Sequence, residues 1–311
     1  NGNKSFNHGS LMIPVSKQKK TSNEIYKIVS EAQAKYNVPM YAVNTGFSLK
    51  GIDLGSNNFR TLKKPKAALL IGNGISSYEA GEVWHLLDTR VNMPITKLQM
   101  RSFKNVNLNK YNTLVMVSGN YSQLDSLQRQ KLKQWTSKGN TLITIAGASK
   151  WIIDKKLVKE KLTEKPKDSS KKETIKRLPY VDASKHIGRE RVGGAIFKVD
   201  LDLTHPLGFG YRNASLPVYK NNMVFLAPSK NAYSTVAKYS ENPHIDGYIS
   251  NDNLNIFLKP SASLIVSPLG KGRVILFADN PNFRGSWYGT NRLFLNALFL
   301  GNLISVPKGR N

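Results

Sequence analysis

Three places in this chain gather side chains able to act on a ligand. Ser118-Gly119-Asn120 ends the apolar run beginning at Thr113, where backbone amides at a strand end can hold an anion or an oxyanion. His205 stands before Pro206 and Leu207 and carries an imidazole suited to proton transfer. Asp279 and Asn280 follow another apolar run, with Asn282 and Arg284 just beyond. A fourth place is defined by what it lacks. Residues 140–151, NTLITIAGASKW, read as an apolar strand, a small-residue turn and the start of a helix. A strand-turn-helix elbow presents a nucleophile in many enzymes, yet its turn here is Ala146-Gly147-Ala148 and the chain contains no cysteine. A methyl group has no lone pair, so no catalytic residue is assigned. The candidate ligand rim is Ser118, Asn120, His205, Asp279, Asn280 and Arg284.

Each of these has a plainer reading. Ser118 lies outside any G-x-S-x-G pattern, and a tight strand-to-helix turn accounts for it equally. The polar run after 278 can satisfy backbone groups in a loop covered by Phe283, Trp287 and Tyr288. His205 remains of interest only if it reaches Ser118 in space with a carboxylate behind it.

The five histidines, His8, His85, His186, His205 and His244, form no H-x-x-E or H-E-x-x-H pattern. His85 and Asp88 share a helical face, but Trp84, Leu86 and Leu87 crowd that turn. No metal is expected. Gly72-Asn73-Gly74 is a fragment of a dinucleotide fingerprint without its third glycine, and no cofactor is expected.

Lys+Arg 46 against Asp+Glu 20 gives a formal charge of +26. Such a field attracts polyanions. The excess is mostly Lys, which reads phosphate geometry less specifically than Arg, and no nucleic-acid motif accompanies it. No run of about 18 apolar residues exists, so no transmembrane segment is expected. The first residues carry neither an initiator Met nor an apolar signal core, the pattern of a mature form or an excised fragment.

The elements that position these groups follow from periodicity. Residues 11–43 read as a β-α-β unit, with Thr21 and Glu24 at capping-box spacing. Residues 45–64 read as a connecting loop. From residue 65, strands at 66–72, 113–118 and 141–146 alternate with helices at 79–90 and 123–138, and a helix covers 290–303. The expected fold is α/β: an open, mostly parallel sheet with helices on both faces. It carries a mobile Lys-rich excursion at 155–177 and a mixed β region at about 193–262. Domains are expected at 1–64 and 65–311. In such sheets ligands sit beyond the carboxyl ends of the strands.

Three stretches carry a family resemblance: EAGEVWHLLDTR (79–90), GGAIFKVDLDLTHPLGFGYR (193–212) and GRVILFADNPNFRGSWYGTNRLFLNALFLG (272–301). They resemble the C-terminal region of large bacterial zinc carboxypeptidases of the carboxypeptidase A-like family, where a class I glutamine amidotransferase-like, or flavodoxin-like, domain follows the metallopeptidase domain. In glutamine amidotransferases the elbow holds a cysteine and a His-Pro-Glu completes the triad. Ala146 and Leu207 depart from both. The peptidase's own metal motif is absent, so no catalytic residue carries over. The resemblance implies a non-catalytic accessory domain that stabilises or positions the peptidase domain of the same parent protein, or helps it bind substrate. It also implies an extracytoplasmic location, in the periplasm or at the cell surface. Two alternatives stand beside it: an enzyme of unknown type using the sheet rim, and a basic binding module for an anionic polymer.

The charge makes one prediction. Binding to heparin or duplex DNA is expected to be independent of sequence and to fall steeply with salt, because diffuse lysine charge acts through counterion release. Retention on either polyanion at about 0.5 M salt, where screening is strong, would instead require a dedicated site.

Overall fold

The structure, a computed structural model, describes residues 4–16, 18–166 and 177–307. The chain divides into two compact units, 1–61 and 62–311.

In the first unit, helix α1 (Ser22–Tyr36) is the only regular element among the described residues. Thr21 caps it. Its Oγ1 accepts from the Glu24 amide at 3.3 Å, and Glu24 Oε2 accepts from the Thr21 amide at 2.7 Å. This reciprocal pair satisfies two otherwise orphaned donors. The strands expected at 11–15 and 39–43 do not form, so the unit is not β-α-β. Each segment contains a proline, Pro14 or Pro39, which offers no N–H to a neighbouring strand.

The second unit is built on one nine-stranded sheet. Along the chain run β1 (Ala67–Ile71), α2 (Ser77–His85), β2 (Thr96–Gln99), β3 (Thr113–Met116), α3 (Ser126–Ser137), β4 (Thr141–Ile145), α4 (Gly147–Asp154) and α5 (Ala183–Arg189). Then come β5 (Ala195–Leu201), β6 (Ser215–Lys220), β7 (Thr235–Gly247), β8 (Ala262–Leu269), β9 (Gly272–Phe277) and α6 (Asn291–Leu300). The spatial order is β2-β1-β3-β4-β9-β8-β7-β5-β6. The five strands from β2 to β9 are parallel, and every pairing from β9 to β6 is antiparallel.

The sequence explains the division. In β3, β4 and β9 every residue is buried, as expected of strands covered on both faces. In β5 the residues alternate between buried and more exposed, the pattern of a sheet with one solvated face. The β region expected at about 193–262 continues the same sheet in antiparallel pairing. Its outermost strand, β6, carries Pro217. VFLAPS (224–229), which reads as a strand, makes only two isolated bridges, both at Leu226, to Leu162 and to Ala262.

The Lys-rich stretch at 155–177 is not solvated throughout. Leu157 and Val158 are buried, Leu162 bridges Leu226, and the Thr163 amide donates to the Phe225 carbonyl at 2.8 Å. Lysines outnumber apolar residues there, but the few apolar ones suffice to dock its first part. The rest of the expected mobile excursion, 167–176, lies outside the described residues.

The antiparallel half converges on one carboxylate. Asp279, just past β9, accepts from Lys220 Nζ at 3.1 Å, Tyr239 OH at 2.8 Å and Ser263 Oγ at 2.6 Å. The Lys220 ammonium is fully buried and also donates to Val224 O at 2.7 Å and Asn222 Oδ1 at 3.1 Å. Burial pulls its pKa down, and Asp279 opposes that shift. Such a pair is costly to break from one side, because the remaining charge is stranded. Lys220→Met is expected to lose about 3–5 kcal/mol in chemical denaturation, and adding Asp279→Asn should recover much of it. Equal instability of the single and double variants would show that the ammonium packs rather than pairs.

Candidate functional site

The carboxyl ends of β1, β3, β4 and β9 meet around one face of α2. Ser76 caps that helix, its Oγ accepting from the Glu79 amide at 3.3 Å, and its own amide donates to Ser118 O at 2.8 Å. Glu79 and Glu82 are three apart and so share a face. Glu79 Oε2 accepts from the Ser118 amide at 2.8 Å. Glu82 Oε2 accepts from Asn280 Nδ2 and Oε1 from the Arg284 amide, both at 2.5 Å. Burial pushes both carboxyls above their ordinary value. Hydrogen bonds from Ser118 oppose the shift at Glu79, and those from Asn280 and Arg284 oppose it at Glu82.

The elbow lies beside this pair. Ala146 has φ +48° and ψ −111°, a left-handed backbone that costs a non-glycine residue about 1–3 kcal/mol. Its methyl is buried. The next amide, Gly147 N–H, is the donor that helps form an oxyanion hole in elbow hydrolases. Here it donates to Ser118 Oγ at 3.0 Å. Gly119 permits the approach of the neighbouring turns, since a Cβ there would lie 2.8 Å from Gly74 O. The elbow thus has neither a nucleophile nor a free first oxyanion donor.

The structure separates the candidate residues. Ser118, Asn280 and Arg284 gather around α2. Asn120 is exposed in the adjoining turn, with its amide on Gly74 O at 2.7 Å and its Oδ1 accepting from the Ser122 amide. Asp279 belongs to the buried ion pair and is not open to a ligand. His205 is elsewhere. It follows β5, which runs opposite to β7, and two further antiparallel steps lead from β7 through β8 to β9. The register carries Leu201 at the end of β5 through Ala237 and Leu264 to Phe277 at the end of β9, so the separation from Ser118 is lateral: β7, β8, β9 and β4 lie between β5 and β3. There its Nδ1 accepts from the Leu207 amide at 3.1 Å. Burial lowers its pKa to about 4, with Asp202 opposing, so the ring is neutral near pH 7. No Ser118–His205 pair exists to rebuild a triad.

His85 and Asp88 are both exposed. Among the described residues no group of three or more His, Asp or Glu side chains could hold a metal ion. The residues missed from sequence are Glu79 and Glu82. Their signal was an E-x-x-E step on the first helix after a rim turn, half-hidden within an apolar helical pattern.

No family profile matches this chain. No curated protein matches it either. Among solved structures, a ThuA-like protein from Parabacteroides merdae aligns over 79% of this chain and 93% of its own, at 13% identity and a TM-score of 0.50. The fold is class I glutamine amidotransferase-like. A GMP synthase protein from Thermoplasma acidophilum aligns over 76% and 94% at 10% identity, with a TM-score of 0.47. A β-galactosidase from Bacillus circulans aligns over 76% of this chain and 30% of its own, at 11% identity and a TM-score of 0.40. Likeness at such identities concerns fold alone.

The raised Glu79 pKa has a definite sign. A carboxyl that titrates higher when folded contributes stability below its unfolded pKa, and that contribution is lost as pH rises through the folded one. Glu79→Gln keeps an acceptor for the Ser118 amide and removes the buried charge. It is expected to be more stable than wild type at pH 8 and nearly indistinguishable at pH 4, just below the ordinary value of 4.5. Urea denaturation at the two pH values checks this. A variant less stable than wild type at pH 8 would mean that the charge is held by partners rather than tolerated.

Proposed function

We propose that this chain is a non-catalytic accessory domain of an exported zinc carboxypeptidase-like protein. Its role is to stabilise or position the peptidase domain, or to help it bind substrate. One observation carries the non-catalytic part: the elbow keeps its strained backbone while Ala146 supplies only a methyl and Ser118 occupies the Gly147 amide. The resemblance of residues 79–90, 193–212 and 272–301 supports the choice of parent protein. The gene tests that choice directly. An in-frame metallopeptidase domain upstream of Asn1 is the expected finding, and a start codon close to Asn1 would overturn it.

The contact between Glu79 and Ser118 favours a second reading, an enzyme working at the rim. A carboxyl with a raised pKa beside a hydroxyl could exchange protons with a bound substrate. Turnover that disappears in Ser118→Ala, with the fold intact, would establish it.

The elbow makes a sharper prediction. Ala146→Cys restores a thiol at the turn, yet it should yield no glutaminase activity. His85, on the same helix as Glu79 and Glu82, stands by Gly285 and is not hydrogen-bonded to Ser118 or Gly147, so no base is set to activate the thiol, and the first oxyanion donor stays occupied. Ammonia release from glutamine by Ala146→Cys, above that of wild type, would show that the elbow is dormant rather than dismantled.

A further inference from the structure

The first unit exposes apolar side chains on backbone that lies outside any helix or strand. Leu11, Ile13 and Val15 are 69%, 51% and 48% exposed, and Tyr41 and Val43 are 51% and 40% exposed. Ile25 is its only buried apolar side chain among the described residues. Helix α1 turns Ile28 outward as well. Within this unit, residues 11–15 and 39–43 make no backbone–backbone hydrogen bond among the described residues. These two segments therefore combine two unmet needs, apolar cover and partners for their amides and carbonyls. A unit of this size with so small a core gains little stability by itself.

The nature of the cover follows from both needs. A bilayer would take the apolar side chains, but it has nothing to pair with backbone outside a helix or closed barrel, and each unsatisfied group costs several kcal/mol in hydrocarbon. A protein surface can supply both, most directly by adding the segments to a sheet edge or groove. Its charge follows from composition. Residues 1–61 hold eight Lys and Arg against three Asp and Glu, and Lys19, Lys20, Lys27 and Lys35 are exposed around α1. We infer that residues 11–15 and 39–43 are docking segments for a protein face that is apolar at its centre and acidic at its margin. Identifying that face with the metallopeptidase domain rests on the accessory reading above.

Amide hydrogen exchange on the full chain, alone and with the separately produced metallopeptidase domain, tests the inference. The expected result is a complex in which 11–15 and 39–43 slow markedly, whereas in the free chain they exchange fast. Leu11→Asp/Ile13→Asp should weaken the complex about tenfold or more, as loss of central anchors does, while exchange in 62–311 stays unchanged. Three results would overturn the docking segments alone. The segments could already be protected in the free chain, covered by itself or by a second copy. They could become protected only on phosphatidylserine vesicles. The double variant could bind as tightly as wild type, which places the contact elsewhere and leaves the accessory reading standing. If wild type forms no complex, both ideas fall.

Discussion

The antiparallel half of this sheet depends on one buried carboxylate. Asp279 is reached by side chains from β6, β7 and β8, and it sits at the end of β9. Burying a charge is unfavourable unless its partners are complete. Here they are: the three ammonium protons of Lys220 go to Asp279, Val224 and Asn222. A shift of one residue in any of these strands would turn its contributor to the other face. The pair therefore acts on alignment more than on net stability. It also reaches the candidate site, because the next residue, Asn280, is the one that meets Glu82.

The same edge of the sheet shows how a scaffold can outlast its chemistry. Acyl transfer at an elbow needs a nucleophile, a base to activate it and donors for the oxyanion. Ala146 removes the first. The distance between His205 and Ser118 across the sheet denies His205 the second role. The Ser118 hydroxyl fills the amide that would help supply the third. What remains is a rigid turn and two half-buried carboxyls on α2, one bonded to each neighbouring turn.

Much of this was legible in the sequence where the cause is local. The strands β1, β3, β4 and β9 announce themselves as apolar runs, since both faces are covered. The cap of α1 shows in Thr21-Glu24. The elbow shows as small residues between a strand and a helix. What failed was non-local. Glu82 and Asn280 are 198 residues apart, and Lys220 and Asp279 are 59 apart. No periodicity links such partners. Likewise, an alternating pattern tells that β5 has one wet face but not which strand lies beside it. The apolar segments of the first unit misled for a related reason: strand propensity is a preference that only a paired neighbour can realise.

The position of Pro217 on the outermost strand bears on solubility. A sheet edge is a row of open donors and acceptors, and another chain can add to it without limit. The nine-stranded sheet has two such borders, β2 and β6. On β6 the ring of Pro217 removes a donor in mid-strand, so an incoming chain would find the ladder interrupted. On β2, Thr96, Lys97 and Gln99 are exposed, and only Leu98 faces inward. One border is thus guarded by a missing proton and the other by shortness and hydration, so neither offers another chain a long uninterrupted ladder.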